Sequence, residues 1–399
     1  MGLLLIIIAV LVATAALFLA AFLLAEVIAS LFVQSNREID EEAGAIAVIM
    51  PAHNEANTIS ASIENIKSSL RASDRLIVVA DNCEDNTAEV AMKHDAEVLV
   101  RDEPDKRGKG YALQYAVDVL RAAPPAVAVF ADADCLFEEG ALQRISSRAS
   151  AAQRPVQALY LMKAPIGASP RLQVAAFAWV FINLVRMSGL QKMFDLTRFT
   201  GSGFAAPWRD VEQVEFASGE IVEDLALTFQ FVRNGAAPLL AREAVVTSEF
   251  PENEEALARQ NARWSLGSLR YSARSFLSLV AEGIKGANIR MIGAAVDLLI
   301  PPLTVFIVLL LLIWLYCLGI WLITGFSAAA VLAFWSIILT GLSVLIGWIA
   351  FGRETLPPSA LGGAIGFLAS KLRVFGAEGR KSAEQWTPTR NKDDAEPGA

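Results

Sequence analysis

The chain has 399 residues, is 54% hydrophobic and carries a formal net charge of −8. Its mean hydropathy of +0.45 is too apolar for an ordinary water-soluble enzyme, so membrane segments are expected. The acidic balance argues against nucleic acid as a partner, and the three cysteines, Cys83, Cys135 and Cys317, suggest no disulfide framework.

Residues 2–32 carry one charge, Glu26, and are long enough to span a bilayer with tilt. The segment lacks a basic n-region, so 1–34 is expected to be a retained transmembrane anchor rather than a cleaved signal peptide. Next, the apolar run 45–50 reads as a buried strand and leads into Pro51-Ala52-His53-Asn54-Glu55. Helical periodicity covers 58–70, and a second strand at 76–80 ends in Asp81-Asn82-Cys83-Glu84-Asp85 before a helix through Met92. A short strand is expected at 97–100, and Arg107-Gly108-Lys109-Gly110 opens a helix over 111–120. The apolar, partly β-branched run 126–131 then stops at Asp132-Ala133-Asp134.

This alternation predicts a mostly parallel sheet with ligands bound beyond the carboxyl ends of its strands. Glu55, Asp81, Asp85 and the Asp132 pair gather at that edge. Two aspartates at i and i+2 can turn toward one ligand, with oxygen donors suited to magnesium or manganese. On spacing alone the triplet is more readily an ordinary solvated acidic turn, which is common after strands. Asp85, just before Thr87, suits a helix-capping turn.

Residues 170–194 form another apolar stretch, punctuated by Arg171, Arg186 and Lys192. Gln260, Arg263 and Trp264 lie at i, i+3 and i+4 and share one helix face. Arg259, Arg270 and Arg274 beside Leu266, Leu269, Phe276 and Leu277 mark 256–293 as amphipathic interface helices. Residues 298–323 and 326–351 carry no charge and flank Thr324-Gly325, so 294–352 is expected to be a two-helix transmembrane hairpin. The remaining 353–399 reads as an interfacial segment, about 362–375, and a polar tail. Arg37, Lys285, Arg290, Arg353, Lys371, Arg373, Arg380 and Lys381 fall on one side of three spans. By the positive-inside rule the central region, 43–255, and the tail face the cytoplasm, at a bacterial-type inner membrane.

PAHNE, VVADNCEDNTA, RGKGYAL and FADAD occur in that order, followed by Thr200-Gly201-Ser202-Gly203, Ile221-Val222-Glu223-Asp224 and Gln260-Asn261-Ala262-Arg263-Trp264. Over about 46–269 this series resembles the membrane-bound family 2 glycosyltransferases of the GT-A fold. The last motif is the Q-x-x-R-W of cellulose, chitin and hyaluronan synthases and of ceramide glucosyltransferases. The resemblance implies a mixed, mostly parallel α/β domain with about three transmembrane helices. It implies a UDP-sugar donor, a divalent metal and inverting transfer to a membrane-associated glycan acceptor.

By resemblance, Asp81 lies against the nucleotide base and ribose, Glu55 is the strand-end acid near the nucleotide, and Lys109 offsets phosphate charge. Asp132 and Asp134 hold the metal, Asp134 foremost, and Asp224 is the general base. Gln260, Arg263 and Trp264 meet the donor, with Arg263 on the diphosphate and Trp264 toward the acceptor sugar. The tail around Trp386 is expected to cover the active-site mouth. His53 reads as structural and His94 as a surface residue.

Three spans are few for a polymer pore. This favours single-sugar addition to a lipid-linked oligosaccharide in exopolysaccharide or cell-surface polysaccharide assembly, or a polymerase working as a homo-oligomer or within an assembly complex. A ceramide-type glycolipid glucosyltransferase is the other enzymatic reading. A glycan-binding subunit with a degenerate transferase domain is the non-enzymatic one, and the intact acids oppose it.

Overall fold

The computed structural model describes residues 2–33, 43–165, 167–220, 222–250 and 254–363, with the side chains of 254–259, 261 and 262 left out. Arg37, the basic residues beyond position 363, most of the expected interfacial segment and the tail around Trp386 lie outside the described residues. The chain forms two compact units. One is built from Gln34–Ile166 and Asp195–Gly267, the other from Met1–Val33, Gly167–Phe194 and Ser268–Arg373.

The first unit carries one sheet of eight strands: β1 (Ile46–Ala52), β2 (Arg75–Asp81), β3 (Glu97–Arg101), β4 (Val127–Phe130), β5 (Leu136–Phe137), β6 (Val156–Lys163), β7 (Phe204–Pro207) and β8 (Leu239–Glu249). Their order is β3-β2-β1-β4-β7-β6-β8-β5. Strands β3, β2, β1 and β4 run parallel, and β7 enters antiparallel between β4 and β6. The expectation of a mostly parallel α/β sheet holds, with the antiparallel pairs making it mixed.

The apolar runs of β1, β2 and β4 are buried throughout because helices cover the sheet, as parallel strands require. The helix Ile59–Lys67 buries Ile59, Ile63 and Ile66, one face at helical spacing. The helix Lys109–Leu120 packs Ala112, Leu113, Ala116 and Leu120 into the same core as Ile49, Val79 and Phe130. Gly110 lets this helix approach closely, since a Cβ there would sit 2.3 Å from the Phe216 carbonyl oxygen. Phe130 stacks on Phe204 and Phe216, with ring centroids 4.4 and 5.1 Å apart. This aromatic stack anchors the strand that ends at the Asp132 triplet.

The second unit contains the helices Gly2–Ser30, Leu303–Thr324 and Ala328–Gly347. Pro301 and Pro302 delay the start of the second helix to Leu303, since proline suits a helix beginning but not its interior. Gly325 closes it with φ +77°, a left-handed turn that glycine adopts without strain. The alanines at positions 9, 13, 16 and 20 are buried along one side of Gly2–Ser30, where small side chains permit close helix packing.

Among the described residues four helices, rather than the expected three, are long and apolar enough to cross a membrane: Gly2–Ser30, Pro170–Phe194, Leu303–Thr324 and Ala328–Gly352. The addition, Pro170–Phe194, joins β6 to β7, which are hydrogen-bonded neighbours in one sheet. A single crossing there would put those two strands on opposite sides of a membrane. Arg186, within this stretch, donates from Nε to Glu26 at 3.1 Å and from Nη2 to Asp297 at 2.6 Å, and all three side chains are buried.

Candidate active site

The carboxyl ends of β1, β2 and β4 place their following loops along one edge of the sheet. After β4, Asp132 and Asp134 come together with Cys135, their potential ligand atoms all within 4.8 Å of one another. The backbone N–H of Asp132 donates to Ser202 Oγ at 3.0 Å. Ser202 is itself fixed by Gln157, which donates to the Ser202 carbonyl at 2.8 Å and accepts from the Thr200 N–H at 3.0 Å. The buried Gln157 thus ties the glycine-bearing loop 200–203 to the acidic triplet. Gly203 has φ +71°, and a Cβ there would meet Val246 at 2.8 Å, so only glycine fits this close crossing.

Lys109, the first residue of its helix, forms an ion pair with Asp132 and donates to the Gly201 carbonyl at 2.7 Å. Burial alone would lower the pKa of the Lys109 ammonium, but Asp132 and Glu223 outweigh it and push it up to about 12. Glu223 and Asp224 begin the helix Glu223–Arg233. Burial pushes the Glu223 carboxyl up to about 7, Lys109 pulling against this and Asp224 adding to it. Burial also raises Asp224, opposed by the Leu225 N–H at 2.9 Å and by the charges of Lys109 and Arg198. The arrangement therefore holds two acids of raised proton affinity beside a permanently charged lysine.

Arg263 approaches the same cluster from the helix Glu254–Lys285. Burial lowers its pKa, while the charges of Glu223 and Asp132 raise it. Gln260, one turn earlier, has its Oε1 buried without a hydrogen-bond partner among the described residues. Trp264 follows Arg263 and is half-buried.

Asp81 and Glu55 occupy the neighbouring strand ends. Asp81 is buried, and its Oδ1 accepts from Arg101 at 2.5 Å and from Asn82 at 2.9 Å. Glu55 Oε2 accepts from the Thr58 hydroxyl at 2.6 Å, and the Glu55 N–H donates to Thr87. Asp85 accepts from the Thr87 N–H at 3.0 Å and from the Ala56 N–H at 3.2 Å, an Asx-type turn one residue before the N-cap, which is Asn86 rather than the expected Asp85.

The structure brings Lys109, Asp132, Asp134, Glu223, Asp224 and Arg263 to one cluster, with Asp81 and Glu55 separate from it on the β2 and β1 ends. Sequence reasoning missed four contributors: Glu223 as a member of the cluster, Arg101 beneath Asp81, Gln157 behind the loop, and Cys135 beside the metal-type acids. Burial, with Asp134 and Asp132, raises the Cys135 thiol well above its ordinary range, so it stays protonated and offers a hard cation little. The two carboxylates are the fitting donors for magnesium or manganese.

Residues 43–267, more than half of the chain, match the model of the glycosyltransferase-like family 2. The probable glycosyltransferase YdaM of Bacillus subtilis is 24% identical over 255 residues, which cover 61% of this chain and 59% of YdaM. The low-salt glycan biosynthesis hexosyltransferase Agl6 of Haloferax volcanii is 37% identical over 95 residues, 23% of this chain and 22% of Agl6. The chain thus spans less than two thirds of either relative. The mannosyltransferase PcManGT of Pyrobaculum calidifontis, solved in complex with GDP-Man and Mn2+, is similar in fold. Its TM-score is 0.56 at 17% identity, over 94% of this chain and 97% of that one. With the family model spanning the strand-end acids, Asp224 and Arg263, the chain belongs to glycosyltransferase family 2.

Proposed function

We propose that the protein is an inverting, metal-dependent hexosyltransferase that moves a sugar from a UDP-sugar to a membrane-associated, lipid-linked glycan acceptor. The supporting observation is the grouping of Lys109, Asp132, Asp134, Asp224 and Arg263 from separated segments at one sheet edge. Asp132 and Asp134 would hold a magnesium or manganese ion, which when bound stabilises charge on the departing diphosphate. Lys109 and Arg263 offset the remaining phosphate charge. Gln260, with its unpartnered Oε1, would accept from a donor hydroxyl, and Trp264 would offer a flat surface to the acceptor sugar. Asp81 and Glu55 would receive the nucleoside.

Asp224 takes the proton of the acceptor hydroxyl. That oxygen bonds to the anomeric carbon on the face opposite the diphosphate, while the bond from the anomeric carbon to the phosphate oxygen breaks and UDP departs with its electron pair. One displacement inverts the centre, so an α-linked donor gives a β-glycoside. The raised proton affinity of Asp224 suits a general base better than an ordinary surface carboxylate would.

Three helices, Gly2–Ser30, Leu303–Thr324 and Ala328–Gly352, serve as the spans, and Pro170–Phe194 does not cross singly because β6 and β7 share a sheet. The domain plan is an anchor at 1–34, a cytoplasmic transferase domain at 43–255, interface helices at 256–293, a hairpin at 294–352 and an interfacial tail at 353–399. Three spans favour single-sugar addition in exopolysaccharide or cell-surface polysaccharide assembly.

The test is reconstitution of the full chain in liposomes with radiolabelled UDP-sugars and lipid-linked acceptors. Metal-dependent addition of one sugar to the acceptor is expected. Long polymer made without a primer would replace this reading with an oligomeric processive synthase. A short glycolipid formed only from ceramide would replace it with a glycolipid glucosyltransferase.

A further inference from the structure

Asp81 and Arg101 are the last residues of β2 and β3, and they are register partners in the parallel ladder. Directly paired residues point to the same face of a sheet, so the two side chains meet there. Both residues are 5% exposed. Arg101 Nη1 donates to Asp81 Oδ1 at 2.5 Å, and its guanidinium also lies 3.4 Å from Glu103 and 5.7 Å from the centre of the Tyr111 ring. The guanidinium is therefore held on three sides, and arginine keeps its charge when buried.

Asn82 adds a second hold. It sits at φ +50°, a left-handed conformation that asparagine tolerates, and its Nδ2 donates to the same Asp81 Oδ1 at 2.9 Å. Its N–H donates to the Arg101 carbonyl at 2.7 Å, and its Oδ1 accepts from the Glu103 N–H at 2.8 Å. His53 Nδ1 lies 2.7 Å from the Asp81 carbonyl and donates to it. The Asp81 carbonyl and Oδ1 are thus both engaged. Among the described residues no donor reaches Oδ2.

The sheet order puts β1 alone between β2 and β4. Asp81 is therefore two strand spacings, about 10 Å, from the end of β4 that carries the acidic triplet. That is about the reach of a nucleoside whose diphosphate lies at the triplet. This step rests on the proposed donor reading, in which Asp81 faces the base.

A carboxylate with both oxygens open can accept side-on from two adjacent donors, such as the N1–H and N2–H of guanine. A carboxylate with one open oxygen meets a single donor, such as the N3–H that uracil presents between two carbonyls. We infer that Arg101 is a specificity-determining positioning residue: by occupying Oδ1 of Asp81 it restricts the site to a base offering one N–H, and so selects uridine over guanosine diphosphosugars. Guanine forces one of its two donors to compete with a buried guanidinium or go unpaired. Either outcome weakens binding.

Isothermal titration of the detergent-solubilised full chain with UDP and with GDP, each with Mn2+, tests this. Wild type is expected to bind UDP at least about fivefold more tightly than GDP, the lower end of what one well-placed base contact gives. Arg101→Met should bring the two affinities within about twofold, Arg101→Lys should keep most of the preference, and Asn82→Gly should reduce it partly. The ratio of the two affinities is the readout, because a general loss of folding weakens both nucleotides alike. Wild type binding GDP as tightly as UDP would overturn the inference even if the Arg101 variants fail to fold. A UDP preference unchanged in Arg101→Met would overturn it while leaving the donor reading intact. Binding of neither nucleotide to wild type would remove both.

Discussion

The ammonium of Lys109 lies on the carboxylate of Asp132, and the same nitrogen reaches the carbonyl of Gly201. A residue opening one helix thereby joins the end of β4 to the glycine-bearing loop before β7. Three segments of the site are held by one side chain, which is why its charge and its three donors both matter.

Replacing that side chain should therefore cost both assembly and chemistry. Lys109→Met is expected to lower turnover by about a hundredfold or more, as loss of one charge-stabilising donor does. Its melting temperature should fall most in EDTA, where Asp132 has lost its cation, and recover in part with saturating Mn2+. Melting curves with and without metal, alongside sugar-transfer assays, check this. A variant with wild-type turnover would remove Lys109 from the site.

Asp134→Ala should abolish the effect of Mn2+ on UDP affinity, whereas Asp85→Ala should leave it in place. Asp85 is engaged in an Asx-type turn with the Thr87 and Ala56 N–H groups, and the metal-type cluster is Asp132, Asp134 and Cys135. UDP titrations at several Mn2+ concentrations distinguish the two carboxylates.

The pH dependence of stability has a definite sign. The folded Glu223 pKa of about 7 lies above its ordinary value of 4.5, so between those values the folded chain binds more protons than the unfolded one. Its contribution to stability is favourable at the acid end and declines as pH rises through that window. In EDTA and without donor, melting temperature should fall from pH 5 to pH 8, and Glu223→Gln should flatten the slope. An identical slope in both proteins would contradict the assignment.

Within the helical unit, Arg186 binds Glu26 and Asp297 in a buried setting. Arg186→Met leaves two acids without their cation and should destabilise by about 3–5 kcal/mol, as breaking a buried ion pair does. The triple variant Arg186→Met, Glu26→Gln, Asp297→Asn should regain much of that loss. Thermal unfolding in detergent reads both.

Much of this fold was legible because β1, β2 and β4 are unbroken apolar runs that end in acids, a pattern only buried parallel strands require. The order of those acids along the chain also placed them at one edge. What lay beyond reach depends on register and distant pairing. Arg101 becomes informative only once β3 is aligned with β2, and Gln157 only once β6 is paired with β7. The Pro170–Phe194 helix was obscured by its own arginines, since Arg186 looks like a membrane-flanking charge until its partners Glu26 and Asp297 are in place. Glu223 joins the cluster through Lys109, which is far away in sequence.

In the proposed transfer Asp224 is the base that acts on the acceptor hydroxyl at this edge. The direct measurement is turnover of Asp224→Asn in reconstituted membranes, with UDP binding in Mn2+ followed on the same preparation. A loss of about a thousandfold in turnover is expected, with UDP affinity kept within a few fold. Turnover within tenfold of wild type would contradict it.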